Sequence, residues 1–486
     1  MRMPATRPAA EGPAVAADPR RARMVLSRAV RAALLPAPFP SPVAAPGPRW
    51  QGGAALLLQI LGPVRSPHGR RHQVGCASYS AFSSSSIEQP SKAFHGDPEE
   101  TARDAGSSTS GGMGGSCIHD WEGLSAWRGV GIDRRRLWGD KGPIVPPGFP
   151  EEAAGSREAG GMPLAEYGLE VLLTADPREK IRLTHKAWAA FADGGVPVGS
   201  VSSMQMPQRP SRPDRPKLVS PRKVPSPKQS SLPLNVYMLH NLAHIELNAI
   251  DLAWDTVARF SEIGLPPAFY ADFAHVADDE SRHLGWCLQR LEELGYSYGD
   301  MVAHDLLWEG AELSSGDVSW RMCVVPMSQE ARGLDAGPRL VQKMVGWGDN
   351  RSGAIVDRIS LEEKAHVAIG VAWFNRICAA LQQQPQERFR STMSRLCPEL
   401  LSSIFNHDAR KEVGLLQSWY DLSAYPEQEA QDIAAAAGLV LGKPGKRVEP
   451  TAPPLLPPDK LEPEQLTLLQ SRLASMIDME AASAAR

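Results

Sequence analysis

Cysteine is scarce in this 486-residue chain, and none of the six is spaced as Cys-x-x-Cys. That spacing argues against a zinc–thiolate framework or a dense disulfide scaffold. Cys76, Cys117, Cys287, Cys323, Cys378 and Cys397 read as reduced thiols, and three of them fall on predicted core helices as small hydrophobes. Charge of one sign is also lacking: the formal net charge is −3, so no global field favours nucleic acid or an anionic membrane. The longest apolar run, near Ala54 to Leu61, is too short to span a bilayer. What the chain has in quantity is proline and glycine, 43 and 42 residues, gathered mostly outside its predicted helical centre.

That distribution divides the chain. Residues 1–112 carry Ala/Pro/Gly/Ser-rich segments and are expected to be disordered. Up to Arg71 they hold eleven arginines against two acids, Glu11 and Asp18, with ARMVLSRAVRAALL as a candidate basic amphipathic helix. An organellar transit region fits this, mitochondrial slightly ahead of plastid, with an address-free cytoplasmic extension as the alternative. Residues 113–230 should contain a helical pair, Leu164 to Leu173 and Arg178 to Phe191, then a Pro-rich basic arm. Residues 231–383 carry four long helical patterns, 384–420 accessory helices, and 421–486 a linker and an amphipathic tail helix from Pro463 to Ala482. The arm, 207–228, has Arg209, Arg212, Arg215, Lys217, Arg222, Lys223 and Lys228 against one acid, Asp214. It reads better as an extended lead-in wrapped on the helices than as a strand tracking RNA phosphates.

Within 231–383 the chain carries Glu-x-x-His twice, Glu280 with His283 and Glu363 with His366. A lone glutamate precedes each pair, Glu246 by 34 residues and Glu330 by 33, while 47 residues separate His283 from Glu330. One helical hairpin used twice, joined by a longer crossover, would give this order. Residues three apart share a helix face, so each pair aims an oxygen and a nitrogen at one point. The acids also sit within apolar stripes: Leu239, Leu242, Ala243, Ile250 and Val257 flank Glu246, and Ile355, Ile359, Ile369 and Trp373 flank Glu363. Four buried carboxylates without compensation would be strongly unfavourable, and two divalent cations would balance them. A single Glu-x-x-His is more often a surface ion pair; two copies in register, each with its upstream acid, favour metal. Carboxylate and imidazole donors without thiolate suit iron, with manganese as the alternative.

The predicted helices run Leu234 to Ile263, Ala268 to Leu294, Asp317 to Met344 and Asn350 to Leu381. Pro326 falls inside the third, one turn before Glu330, and should kink or open it. Asp279 and Glu362 immediately precede ligand glutamates and are expected to accept hydrogen bonds from His366 and His283 respectively. His240, His244, Arg332 and Asp335 are further candidates for supporting roles, with ordinary core or structural pairing as the alternative.

From about Arg212 to about Leu415 the strings HNLAHIELNAIDLAWD, DDESRH, GYSYGD, EARGLD and EEKAHVAIG stand in an order that resembles an uncharacterised domain-of-unknown-function family of the ferritin-like superfamily. The resemblance implies an all-α, antiparallel four-helix bundle with a carboxylate-bridged di-iron centre, flanking helices and no particular substrate. DESRH is also similar to a signature of di-iron oxidases and oxygenases such as ribonucleotide reductase small subunits, in which the residue matching Asp279 hydrogen-bonds a ligand histidine. The second copy, EEKAH, departs from it at Lys364 and Ala365.

The expectation is therefore a di-iron oxidase or oxygenase that takes dioxygen, a small organic substrate and an electron-donor protein. The alternatives are a ferroxidase or iron-handling protein, an RNA-modifying hydroxylase and a metal-free scaffold.

Overall fold

The computed structural model describes residues 120–148 and 161–484. The transit reading and the expected disorder of 1–112 lie outside them, as do Cys76 and Cys117. The described residues are all-α apart from one two-stranded hairpin, and among them no helix is long and apolar enough to cross a membrane.

Four helical stretches form the centre: α4 (Leu234–Arg259), α5 (Pro267–Glu293), α8 (Ala331–Gly346) and α9 (Asn350–Leu381). Before them come α1 (Gly123–Arg128), the hairpin β1 (Leu137–Gly139) and β2 (Gly142–Ile144), α2 (Leu164–Leu173) and α3 (Pro177–Ala192). Two short helices, α6 (Leu306–Leu313) and α7 (Val318–Val324), occupy the crossover between α5 and α8. After α9 follow α10 (Pro385–Leu396), α11 (His407–Glu412), α12 (Gln417–Tyr420), α13 (Glu427–Ala437) and α14 (Pro463–Ala484).

The pairings are antiparallel. The hydroxyl of Tyr270 on α5 donates to Phe260 O just past α4 while His283 reaches back to Glu246. Likewise Gly353 lies beside Val345 and Gly333 beside Glu363, so α9 returns along α8. The two hairpins then meet along α5 and α9, where Arg290 holds Ser352 and Trp373 donates to Asp272. Leu239, Ile250, Val257, Phe273, Leu284, Leu291, Ile355 and Ile377 fill the space between them, each at most 3% exposed.

Helix starts follow side-chain chemistry. Asp176 accepts from Glu179 N with Pro177 at the first helical position of α3, and Asp317 accepts from Ser319 N at the start of α7. At the head of α9, Asp349 accepts from Ser352 N and also from Asn235 and Arg290. Burial opposes its charge, but these donors outweigh it and hold the carboxyl down at about 2. A depressed carboxyl contributes stability above its ordinary value, near 3.8, and loses it as pH falls through the folded value. Asp349→Ala is accordingly expected to cost about 1–2 kcal/mol at pH 7. The deficit relative to wild type should shrink between about pH 4 and pH 2; a urea-denaturation series across that range checks it.

The third predicted helix is not continuous. Val325–Glu330 is a turn of π-helix, with Pro326 as its second residue, between α7 and α8. Proline supplies no N–H, so the ladder widens there instead of propagating. Gly370 on α9 meets Pro326 so closely that a Cβ would stand 2.5 Å from the proline Cβ. Pro338, inside α8, is a second proline that the hydrophobic periodicity did not single out. Within the accessory region α11 and α12 are separate pieces, because Gly414 takes a φ of +85° between them. The elements α1, α6, α13 and the hairpin were not anticipated. All are short or flanked by turn residues, so they leave little periodic signal.

The basic arm lies along the helices. Arg212 pairs with Asp251 and donates to Asn248, Arg209 pairs with Asp305 and Glu312, and Arg215 faces Asp300. The tail helix α14 docks on α9, burying Leu469 and Leu473 completely.

Candidate metal centre

The six residues singled out by spacing come from α4 (Glu246), α5 (Glu280, His283), the last residue of the π-turn (Glu330) and α9 (Glu363, His366). They converge. Glu246, Glu280, His283 and Glu363 form one group whose donor atoms lie within 4.8 Å of one another, and Glu280, Glu330, Glu363 and His366 form a second. Glu280 and Glu363 belong to both groups. Each half thus has one private glutamate, one private histidine and two shared carboxylates.

Both imidazoles point Nδ1 inward. His283 Nδ1 is 3.4 Å from Glu246, 3.3 Å from Glu280 and 3.7 Å from Glu363. His366 Nδ1 is 2.9 Å from Glu280, 3.9 Å from Glu330 and 3.8 Å from Glu363. The carboxylate of Glu280 turns Oε2 towards His283 and Oε1 towards His366. Glu330 Oε2 is buried and makes no hydrogen bond, the condition expected of a donor reserved for a ligand. The donor set therefore fits a metal: buried carboxylate oxygens and imidazole nitrogens arranged around common points.

Outside the cluster, His283 Nε2 meets Glu362 at 2.8 Å and His366 Nε2 meets Asp279 at 3.3 Å, the crossed pairing expected from sequence. A proton on Nε2 shared with a carboxylate leaves the Nδ1 lone pair facing inward. Arg282 donates to both acids, and Arg358 donates to Glu362 at 2.6 Å. Burial works against the ionised forms, yet Arg282 keeps Asp279 well below the usual carboxylate range, and His283 with Arg282 brings Glu362 to about 2.

Inside the cluster the charges conflict. Burial, then the neighbouring Glu280 carboxylate, pushes Glu246, Glu330 and Glu363 upwards. Glu280 goes the other way: burial would raise it, but the two imidazoles hold it low. Burial would strip both histidines of their protons, and the surrounding carboxylates outweigh it, holding them well above the ordinary imidazole value. Without a cation, protons carry the compensating charge; a cation would displace them.

Four of the candidate supporting residues stand elsewhere. His240 accepts from Gly299 N, and His244 lies between the Tyr298 hydroxyl and His304 O. Asp335 forms a two-pronged pair with Arg410 and lies 3.9 Å from Arg332. Among the described residues no hydrogen bond or ion pair joins any of the four to a member of the cluster. The physical reason is angular: His244 and Arg332 are each two residues from a ligand glutamate, about 200° around the helix, and face away. Missed from sequence were Arg282, Arg358, Trp127, which donates to Asp279, and Asp133, which pairs with Arg282 at 3.4 Å. Arg282 had a local signal, three residues after Asp279 on the same face; Trp127 had none, being 152 residues away from its partner.

A family model described as Protein of unknown function (DUF455) matches residues 173–421. The chain belongs to this family. A relative from Haemophilus influenzae, described as an uncharacterized protein, is 34% identical over 262 residues, which cover 51% of this chain and 90% of the relative. No solved structure matches. All six cluster residues and both outer acids lie inside the family-matched region, whereas α1, the hairpin and α14 lie outside it.

Proposed function

We propose that this chain is a ferritin-like four-helix-bundle protein with a di-iron centre, and that it oxidises an organic substrate with dioxygen. The observation that carries the reading is the pair of four-residue groups sharing Glu280 and Glu363. In this reading Glu246 and His283 would hold one ion and Glu330 and His366 the other, with Glu280 and Glu363 within reach of both. Four carboxylates and two divalent ions balance in charge, which neither one ion nor none achieves. The absence of thiolate and the presence of two imidazoles favour iron, with manganese as the alternative metal. When bound, the two ions would supply the oxygen-dependent redox chemistry that no side chain provides.

The protein's own contribution is position and proton control. Glu362 and Asp279 hold the imidazole Nε2 protons, so Nδ1 faces the metal positions. The π-turn at Pro326 delivers Glu330 from a helix whose regular continuation was interrupted. Glu330 keeps 9% side-chain exposure and Glu363 10%, against 0–3% for the other four, so these two acids are the least enclosed of the six. An electron donor protein completes the reading, because dioxygen chemistry of this kind consumes reducing equivalents. Against the RNA-modifying alternative stand the ion pairs that occupy Arg209, Arg212 and Arg215.

The test is metal analysis of protein purified without oxygen, followed by oxygen-consumption measurements on the reduced, iron-loaded form. Two irons per chain and rapid dioxygen uptake are expected. Protein that returns no transition metal and cannot be loaded would defeat the proposal, and uptake of many irons per chain into a hollow assembly would replace it with storage.

A further inference from the structure

Residues 120–144, before the family-matched region, lie as a strap along α5. Arg128 forms a two-pronged pair with Asp272, Arg136 holds Asp278 and Ser281, and the backbone of Trp138 exchanges hydrogen bonds with Gln289. Between these anchors, Trp127 Nε1 donates to Asp279 Oδ2 at 2.8 Å. That same oxygen faces His366 Nε2 at 3.3 Å. The indole is itself held: its ring stacks on His275 with centroids 4.0 Å apart, and His275 stacks in turn on Trp188 at 4.8 Å.

We propose that Trp127 is a positioning residue of the metal centre, acting through Asp279 on His366 and hence on one of the two metal positions. The proposal rests on the di-metal reading above. Its physical basis is the sharing of one carboxylate oxygen. Arg282 takes Asp279 Oδ1, leaving Oδ2 to the imidazole and the indole together. Fixed by its stack, the indole N–H sets where Oδ2 stands, and Oδ2 sets the tautomer and tilt of the His366 ring. The other half of the centre is supported differently. Glu362, which orients His283, is held by Arg282 and Arg358, both inside the family-matched region, and no strap residue donates to it. The two halves share Arg282, which also pairs with Asp133 of the strap, but only the His366 half receives the Trp127 hydrogen bond.

That asymmetry is measurable in single-ion backgrounds titrated with Co(II) under argon, with the visible Co(II) spectrum as readout. Glu246→Ala leaves the His366 half as the better site, and Glu330→Ala leaves the His283 half. Trp127→Phe keeps an aromatic ring on His275 but removes the N–H. It is expected to weaken the remaining ion about 10- to 100-fold in the Glu246→Ala background. In the Glu330→Ala background the change should stay within about twofold, because the hydrogen bond it removes does not reach that half. In the full-length protein with all six ligands, Trp127→Phe and Asp279→Asn should be non-additive, since both remove the same support. Trp127→His, which restores a ring N–H, should recover part of the loss. Equal losses in both backgrounds, no loss in either, or the same loss with Phe and His would show that Trp127 only fills space and would overturn the inference. A wild-type protein that fails to bind two ions would instead overturn the di-metal reading on which it rests.

Discussion

Glu280→Ala or Glu363→Ala is expected to abolish tight binding of both metal ions, whereas Glu246→Ala or Glu330→Ala should abolish only one. The difference follows from which groups share carboxylates. Glu280 places one oxygen 3.3 Å from His283 Nδ1 and the other 2.9 Å from His366 Nδ1, so its loss removes a donor from each half. Glu246 approaches only His283, and Glu330 only His366. Losing a direct carboxylate donor also leaves the centre short of a negative charge in a buried site. The weakening should therefore exceed the roughly 10- to 100-fold typical of outer partners. Anaerobic Fe(II) titration of the metal-free variants measures it, with stoichiometry falling from two to near zero for the shared acids and from two to one for the private acids. Equal behaviour of all four variants would show that the carboxylates are not shared. Uptake in the wild type should also weaken as pH falls, because Glu246, Glu330 and Glu363 are pushed up and both histidines hold protons that the ions must displace.

The second large effect is on stability. Lys180 of α3 and Asp251 of α4 are fully buried and meet at 2.6 Å, while Arg212 of the arm closes on the other Asp251 oxygen. Lys180 also donates to Val171 O at the end of α2. One carboxylate thus ties two flanking helices and the arm to the helix that carries Glu246. Asp251→Ala would leave two cations facing each other away from water, and the expected cost is about 3–5 kcal/mol in urea denaturation of the metal-free protein. Removing one stranded charge as well, in Lys180→Met with Asp251→Ala, should recover part of that loss, since an apolar side chain of similar volume avoids the desolvation penalty. A loss within about 0.5 kcal/mol for the single variant, the range of ordinary surface changes, would mean that the pair is not the tie described here.

Which residues converge was legible in the chain because helices impose a local rule. Three residues apart means one face, so Glu280 with His283 and Glu363 with His366 could be paired on paper, and the upstream glutamates in apolar stripes completed the set. Asp279 and Glu362 were legible for the same reason, each one step before a ligand, although the crossing of their partners between α5 and α9 needed an idea of how the hairpins meet. Pro326 announced a disturbance, but that it takes the form of a π-turn packed against Gly370 is visible only in the structure. His240 and His244 were candidates for support or ordinary core, and Arg332 and Asp335 read first as structural. For His244 and Arg332 the offset of about half a helical turn from the ligand glutamate turns the side chain away from the cluster.

The sequence by itself determined the all-α class, the two Glu-x-x-His faces and the acids that belong with them, because periodicity along a helix is written in neighbouring residues. Only the tertiary structure decided that Glu280 and Glu363 are common to both groups, that Arg282 links the two outer acids, and that Trp127 reaches Asp279 from 152 residues away. Those contacts join different elements, and their distances depend on how helices and strap are stacked, a quantity that no local spacing encodes.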